Sequence, residues 1–210
     1  MSARRLDTAR LYLIVAADRI AAATAALAAG VHVVQLRDKH AGDDDLVEAG
    51  RTLRRACDRR DALLIVNDRP DVALACDADG VHVGQDDEPV ESVRDLVGGD
   101  LLVGISTHTP DQIAAADSST ADYLGVGPIF ATPTKPGVEP VGLELVRAAK
   151  TLTSKPFFAI GGIDAHTAPA VVDAGASRVA VVRAICDADD PATAARDLVE
   201  SLKGATAVAQ

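Results

Sequence analysis

The stretch VHVVQLRD, residues 31–38, carries three valines among its first four residues and closes on Gln35, Arg37 and Asp38. It is too short to be a helix by itself. Its β-branched residues suit a buried parallel strand, and its polar residues gather at the C-terminal end. Seven other runs share this build: LYLIVAA from Leu11, LLIVND from Leu63, GVHVG from Gly80, LLVGIS from Leu101, DYLGVGPIF from Asp122, FFAIGG from Phe157 and RVAVVRAI from Arg178. Gly, Pro or Asp bounds each of them. Between the runs lie alanine-rich, charged stretches with helical spacing. DRIAAATAALAAG (residues 18–30) stops on Gly30. GDDDLVEAGRTLRRACDRR (residues 42–60) carries acids in its first turn and arginines in its last, which suits the helix dipole. Proline stands near the start of several others, where its missing N–H costs little. Eight strands alternating with eight helices predict an α/β protein, a (β/α)8 TIM barrel, with a doubly wound open sheet as the alternative. Nothing in residues 1–210 suggests a second domain, and the tail from about residue 203 reads as frayed.

Composition narrows the function. The interior must be built from Ala, Val, Leu and Ile, since 48% of residues are hydrophobic and only 2% aromatic. A formal net charge of −10 argues against nucleic-acid and anionic-membrane partners, which need a basic face. It leaves room for an anionic small molecule wherever cations cluster. Cys57, Cys76 and Cys186 fit neither a disulfide framework nor a zinc site, and read as buried, reduced thiols of a cytoplasmic protein. The N-terminus lacks the apolar run of a signal peptide, and no segment reaches membrane-spanning length.

In a barrel of this kind the chemistry sits at the C-terminal strand ends. Those ends carry Gln35, Arg37 and Lys39; Asn67 and Asp68; His82, Gln85 and Asp87; Ser106 and His108; then Thr132, Thr134 and Lys135 in the loop after the sixth strand. Arg37 and Lys39 share one side of their strand end, and the guanidinium fork suits phosphate oxygens. Asp68 and Asp87, on neighbouring strands, would with phosphates make an oxygen-only Mg²⁺ site. The plainer reading makes Asn67, Asp68 and Asp87 helix caps. His82 reads as a packed core histidine, His108 as a loop residue at a helix start and a weaker acid/base candidate, and Asp43, Asp44 and Asp45 as a solvated first helical turn. Gly161-Gly162 and the end of the eighth strand, Val182-Arg183, suggest a second anion site built from backbone N–H groups. No nucleophile pairs with a base, which favours stabilisation of a leaving phosphate or pyrophosphate over covalent catalysis.

The segments VVQLRDK, IVNDRPDVAL, DGVHVGQDD, VGISTHT, DYLGVGPIFATPTKPG and AIGGI resemble, in order and spacing, the thiamine-phosphate synthases, over residues 12–185. The resemblance implies a (β/α)8 barrel that joins a hydroxymethylpyrimidine diphosphate to a hydroxyethylthiazole phosphate, or to its carboxylate, releasing pyrophosphate. Pyrophosphate leaves first, and the thiazole nitrogen captures the pyrimidine carbocation. It implies that Gln35, Arg37 and Lys39 meet the pyrimidine diphosphate, that Asn67 binds the pyrimidine and that Asp68 and Asp87 ligate Mg²⁺. Ser106 would bond the diphosphate, Thr132 and Thr134 the thiazole phosphate, and Lys135 the pyrophosphate. Gly162, Val182 and Arg183 would complete the thiazole-phosphate site. Arg37, Lys39, Ser106 and Lys135 would be the catalytic groups. Arg183 stands where relatives carry a small hydroxyl residue, and Asp38 where Glu is frequent. A thiazole tautomerase using His108, a non-catalytic phosphate-ligand binder and a sugar-phosphate epimerase are the rival readings. The oligomeric state is open, a homo-oligomer included.

Overall fold

The computed structural model describes residues 2–132 and 139–203. Eight parallel strands close into a barrel in chain order: β1 (Leu11–Val15), β2 (Val33–Leu36), β3 (Leu63–Asn67), β4 (Gly80–Val83), β5 (Leu102–Thr107), β6 (Tyr123–Val126), β7 (Phe157–Ile160) and β8 (Val179–Val181). Closure is direct, with Leu11 in register with Val179 and Leu13 with Val181. The open-sheet alternative is thereby excluded.

Side-chain alternation along the strands divides the apolar residues into two cores. Leu13, Val34, Leu64, Val81, Val103, Leu124 and Val179 face outward and pack under the helices. Tyr12, Val33, Leu63, Ile65, Leu102, Tyr123, Phe158 and Ala180 fill the barrel itself. Even with few aromatics, two tyrosines and a phenylalanine lie at the barrel centre, because only large side chains reach across it.

The helices are α1 (Ser2–Thr8), α2 (Ile20–Ala28), α3 (Asp43–Asp58), α4 (Pro70–Ala75), α5 (Val90–Val97), α6 (Pro110–Ser118), α7 (Gly142–Leu152), α8 (Ala168–Asp173), α9 (Arg183–Cys186) and α10 (Pro191–Ser201). Proline opens α4, α6 and α10 and sits in the first turn of α8. Gly30 ends α2 at φ +108°, the left-handed stop that a glycine permits. None of the described helices is long and apolar enough to cross a membrane.

Two helices exceed the eight expected. One is α1, which lies beneath the barrel and lends Leu6 to the interior core. Its anchor is Asp79, which accepts from Ser2 Oγ (3.0 Å), Arg54 Nη1 (2.5 Å) and the Leu64 amide (2.9 Å) and pairs with Arg5. Only Leu6 of this helix is buried, so its apolar period is too thin to read from sequence. The other is α9. The apolar run of residues 178–185 predicts one strand, whereas β8 ends at Val181 and Arg183 already begins a helix. Short apolar runs carry no period that separates strand from helix. Residues 122–130 likewise predict one long strand, but β6 ends at Val126. The chain then turns, with a cis Gly127–Pro128 bond, and bonds to the end of β7 through Ile129 N to Ile160 O (2.8 Å) and Phe130 N to Gly161 O (2.9 Å). The tail expected to fray lies, from residue 204, outside the described residues. All three cysteines are buried and free, and burial pushes the Cys57 thiol up to about 12.

Candidate active site

The barrel mouth is assembled from strand ends. At the end of β2 the Arg37 amide donates to Val15 O (2.8 Å), which continues the ladder past the strand. The Arg37 side chain is half-buried and Lys39 is exposed. Between them Asp38 organises the turn. Its carboxylate accepts from the amides of Ala17 (3.2 Å), His40 (3.0 Å) and Ala41 (3.2 Å). The His40 amide leads in holding this carboxyl below its ordinary range, against a smaller push from burial. Asp38 is a positioning residue to which motif reading gave no task. An Asp followed within three residues by a turn is its sequence signal.

Asp68 follows β3 in the left-handed region, at φ +60°, a conformation that non-glycine residues rarely hold. Its amide donates to His82 O (2.9 Å), so β4 fixes its place. Burial raises its carboxyl pKa first, the neighbouring Asp87 charge and hydrogen bond raise it further, and Lys39 and Asn67 pull it back. The two carboxyls therefore meet. Asp87 is itself steadied by the Gly84 amide (2.9 Å). A Cβ on Gly84 would stand 2.6 Å from the Asp87 oxygen, so a side chain there would push this carboxylate out of its fold-back.

The capping alternative fails for all three residues. The N-cap of α4 is Arg69 and that of α5 is Pro89, and neither helix start receives a side-chain cap. Arg69 instead ties the starts of α3 and α4 together, donating to Asp43 (2.7 Å) and to both oxygens of Asp71 (2.9 and 2.6 Å). Asp43 is thus exposed but paired.

Lys39, Asn67 and Asp68 share a cavity of about 270 Å³ with Asp38 and Arg69. Its floor of Leu36, Leu46 and Val66 places it at the rim, between the strand ends and α3. Two converging carboxylates, one of them destabilised by burial and by its neighbour, form an arrangement that a divalent cation would relieve. Among the described residues no group of three or more His, Cys, Asp or Glu side chains gathers. Asp68 and Asp87 are the residues that would hold such a cation, with water and substrate oxygens filling the rest of its shell.

Deeper in the barrel, Gln35 is 2% exposed and its Nε2 donates to Tyr12 Oη (2.7 Å). His82 is buried, with Nδ1 at 3.2 Å from Tyr123 Oη and Nε2 at 3.0 Å from Ser106 Oγ. That agrees with the packed-histidine reading. Gln85 crosses to β5, donating to Ser106 O (2.6 Å). His108 Nδ1 donates to Gly127 O (2.5 Å), tying the loop after β5 to the loop after β6. Thr132 is half-buried in the latter loop. Thr134 and Lys135 lie outside the described residues.

The glycines after β7 have a structural task. Gly161 (φ +103°) and Gly162 (φ +65°) press against the loop after β6, where a Cβ on Gly162 would meet Ala131 O at 2.7 Å. Val182 caps α9, and the Arg183 guanidinium runs along that helix to Asp187 (2.7 Å). The structure thus brings Asn67, Asp68, Asp87 and Lys39 together, sets Ser106 on His82, and turns the Arg183 side chain to its own helix.

The family described as thiamine monophosphate synthase matches residues 11–185. The thiamine-phosphate synthase of Mycolicibacterium vanbaalenii is 50% identical over 217 residues, which cover 96% of this chain and 98% of that protein. That of Synechocystis is 46% identical over 95% of this chain, which spans only 59% of that longer protein's length. Among solved structures, thiamine phosphate pyrophosphorylase from Pyrococcus furiosus superposes with a TM-score of 0.88 at 33% identity, over 97% of this chain and 98% of that one. A 3-hexulose-6-phosphate synthase from Salmonella typhimurium, at 17% identity and a TM-score of 0.70, shares the fold alone. With the family match spanning every strand of the barrel, and half of the aligned residues shared with a relative covered to 98% of its length, the chain belongs to the thiamine monophosphate synthase family.

Proposed function

We propose that the protein is a thiamine-phosphate synthase, a transferase that couples a hydroxymethylpyrimidine diphosphate to a hydroxyethylthiazole phosphate or its carboxylate. The observation that carries this reading is the meeting of Asp68 and Asp87 beside Lys39 and Asn67. A tautomerase or a simple phosphate binder has no use for two converging carboxylates.

In this reading Arg37 and Lys39 hold the diphosphate, and Asn67 holds the pyrimidine ring. The bond between the pyrimidine methylene carbon and the diphosphate oxygen breaks, and the electron pair leaves with pyrophosphate. The thiazole nitrogen then gives its lone pair to the methylene carbocation; with the carboxylated thiazole, CO₂ departs afterwards. Asp68 and Asp87 would hold Mg²⁺, which supplies charge neutralisation on the leaving oxygens. Ser106 donates to a diphosphate oxygen. Thr132, Thr134, Gly162 and the Val182–Arg183 backbone receive the thiazole phosphate, and Lys135 the departing pyrophosphate.

The test is pyrophosphate release by the purified protein. Release is expected only with both substrates and Mg²⁺ present. Absence of release, with the thiazole phosphate isomerised or merely bound, would replace this reading by the tautomerase or the binder.

Because Asp187 already engages its guanidinium, Arg183 serves through its backbone. Arg183→Ala should leave kcat/KM within about twofold, the scale of an ordinary surface change. A loss of tenfold or more would mean that the side chain reaches the substrate.

A further inference from the structure

A buried chain of hydrogen bonds crosses the barrel beneath the mouth, and each link comes from a different strand. Gln35 Nε2 meets Tyr12 Oη at 2.7 Å, and Tyr12 Oη meets Tyr123 Oη at 3.1 Å. Tyr123 Oη meets His82 Nδ1 at 3.2 Å, and His82 Nε2 meets Ser106 Oγ at 3.0 Å. Phe158 stands edge-on to both tyrosine rings and fixes their tilt, at interplanar angles of 82° and 84°. Gly104, in register with both His82 and Tyr123, makes the crossing possible, since a Cβ there would stand 2.5 Å from His82 Nδ1. Burial raises the pKa of both phenols, so each keeps its single proton.

Counting protons gives the chain a direction. An amide nitrogen only donates, so Tyr12 Oη accepts from Gln35 and turns its own proton to Tyr123. Tyr123, accepting there, keeps every proton of the chain partnered by donating to His82 Nδ1. The Nδ1 atom is then bare, and the imidazole proton sits on Nε2, facing Ser106 Oγ. Ser106 accepts it and keeps its own hydroxyl proton for the mouth. We propose that Gln35 sets the tautomer of His82 and thereby commits the Ser106 hydroxyl to donating toward an anionic oxygen in the mouth, with Tyr12, Tyr123 and His82 acting as positioning residues. The identity of that oxygen, a diphosphate oxygen, rests on the proposed function; the direction of the chain does not.

The experiment is ¹H–¹⁵N correlation of the imidazoles in ¹⁵N-histidine-labelled protein, with His82 assigned among the five histidines by a His82→Asn variant. Wild type should show His82 with a protonated Nε2 and a bare Nδ1. Gln35→Glu places a pure acceptor at the head of the chain, so every proton should reverse and His82 should carry its proton on Nδ1. Tyr12→Phe, which keeps the ring against Phe158, should leave mixed tautomers, and it replaces the first variant if a buried carboxylate prevents folding. An Nδ1-protonated ring in wild type, or a tautomer indifferent to both variants, overturns the proposal.

The kinetic counterpart is a fall in kcat/KM of about tenfold in Gln35→Glu, the loss of one hydrogen bond to a charged group. The same change should cost almost nothing more in a Ser106→Ala background. Equal losses in both backgrounds would also overturn it. Should no variant and no wild type release pyrophosphate, the functional reading fails while the tautomer result still stands or falls alone.

Discussion

Asp68→Ala is expected to lower kcat/KM for pyrophosphate release by about 10²–10³-fold, the range seen when one preorganised charge-stabilising group is removed. Asp68 makes the half of the carboxylate pair that burial and Asp87 destabilise. Its backbone is held at φ +60°, outside the ordinary range for a side-chain-bearing residue. Such a residue costs stability of order 1 kcal/mol or more. A companion variant separates function from folding. Asp68→Gly removes the charge and also relieves the left-handed strain, so it should lose as much activity while melting no lower than wild type. Steady-state kinetics with Mg²⁺ titration, beside calorimetry, checks both. Activity within tenfold of wild type would remove Asp68 from the metal site.

Asp79→Ala should give the largest loss of stability, about 3–5 kcal/mol, as for other buried ion pairs broken on one side. The residue is 9% exposed and gathers Arg5, Arg54, Ser2 and the Leu64 amide from three parts of the chain. Removing it takes the Nη1 partner from Arg54, which keeps Asp58 (2.7 Å) on Nη2 but whose Nε already lacks a partner among the described residues. For a chain of this size the melting temperature should fall by roughly 10 °C. Burial alone would raise the Asp79 carboxyl, but the Arg54 hydrogen bond, the Leu64 amide and the charges of Arg54 and Arg5 outweigh it, and the net shift is downward. A depressed carboxyl contributes stability that is present above its unfolded value of about 3.9 and is lost as pH falls through the folded one. Urea titration at pH 7 and below pH 4 reads this directly. The gap between wild type and variant should narrow in acid, and an unchanged gap would place the stabilisation elsewhere.

The barrel was legible because residues such as Val33, Val34, Leu64 and Val103 write buried strands in β-branched and aliphatic runs, with Gly and Pro marking the turns. Strand ends were less so. In residues 178–185 nothing local marks where β8 yields to α9, and only closure against β1 decides it. Of the site, the pairing of Asp68 with Asp87 followed from barrel topology, since adjacent strands put their ends side by side. The supporting residues did not follow. Asp38, Gln85 and Arg69 look like unremarkable loop polar residues until three-dimensional neighbours are known. Gln35, whose place at a strand end suggested a ligand contact, lies on the strand's inward face with its Nε2 on Tyr12, a neighbour that the sequence does not announce.

The closing of the barrel also shapes how the chain is made. Leu11 must find Val179, near the other end of the sequence, before any edge of the sheet is covered. During synthesis at roughly 5–20 residues per second, β1 leaves the ribosome many seconds before its partner exists. Until β8 arrives, the nascent sheet presents two open edges to other chains, the condition under which strands pair wrongly or aggregate. Contacts so distant in sequence also slow the search for the native state. For this molecule chaperone dependence and inclusion-body formation should therefore track the last fifth of the chain, and C-terminal truncations should precipitate rather than yield a smaller working barrel.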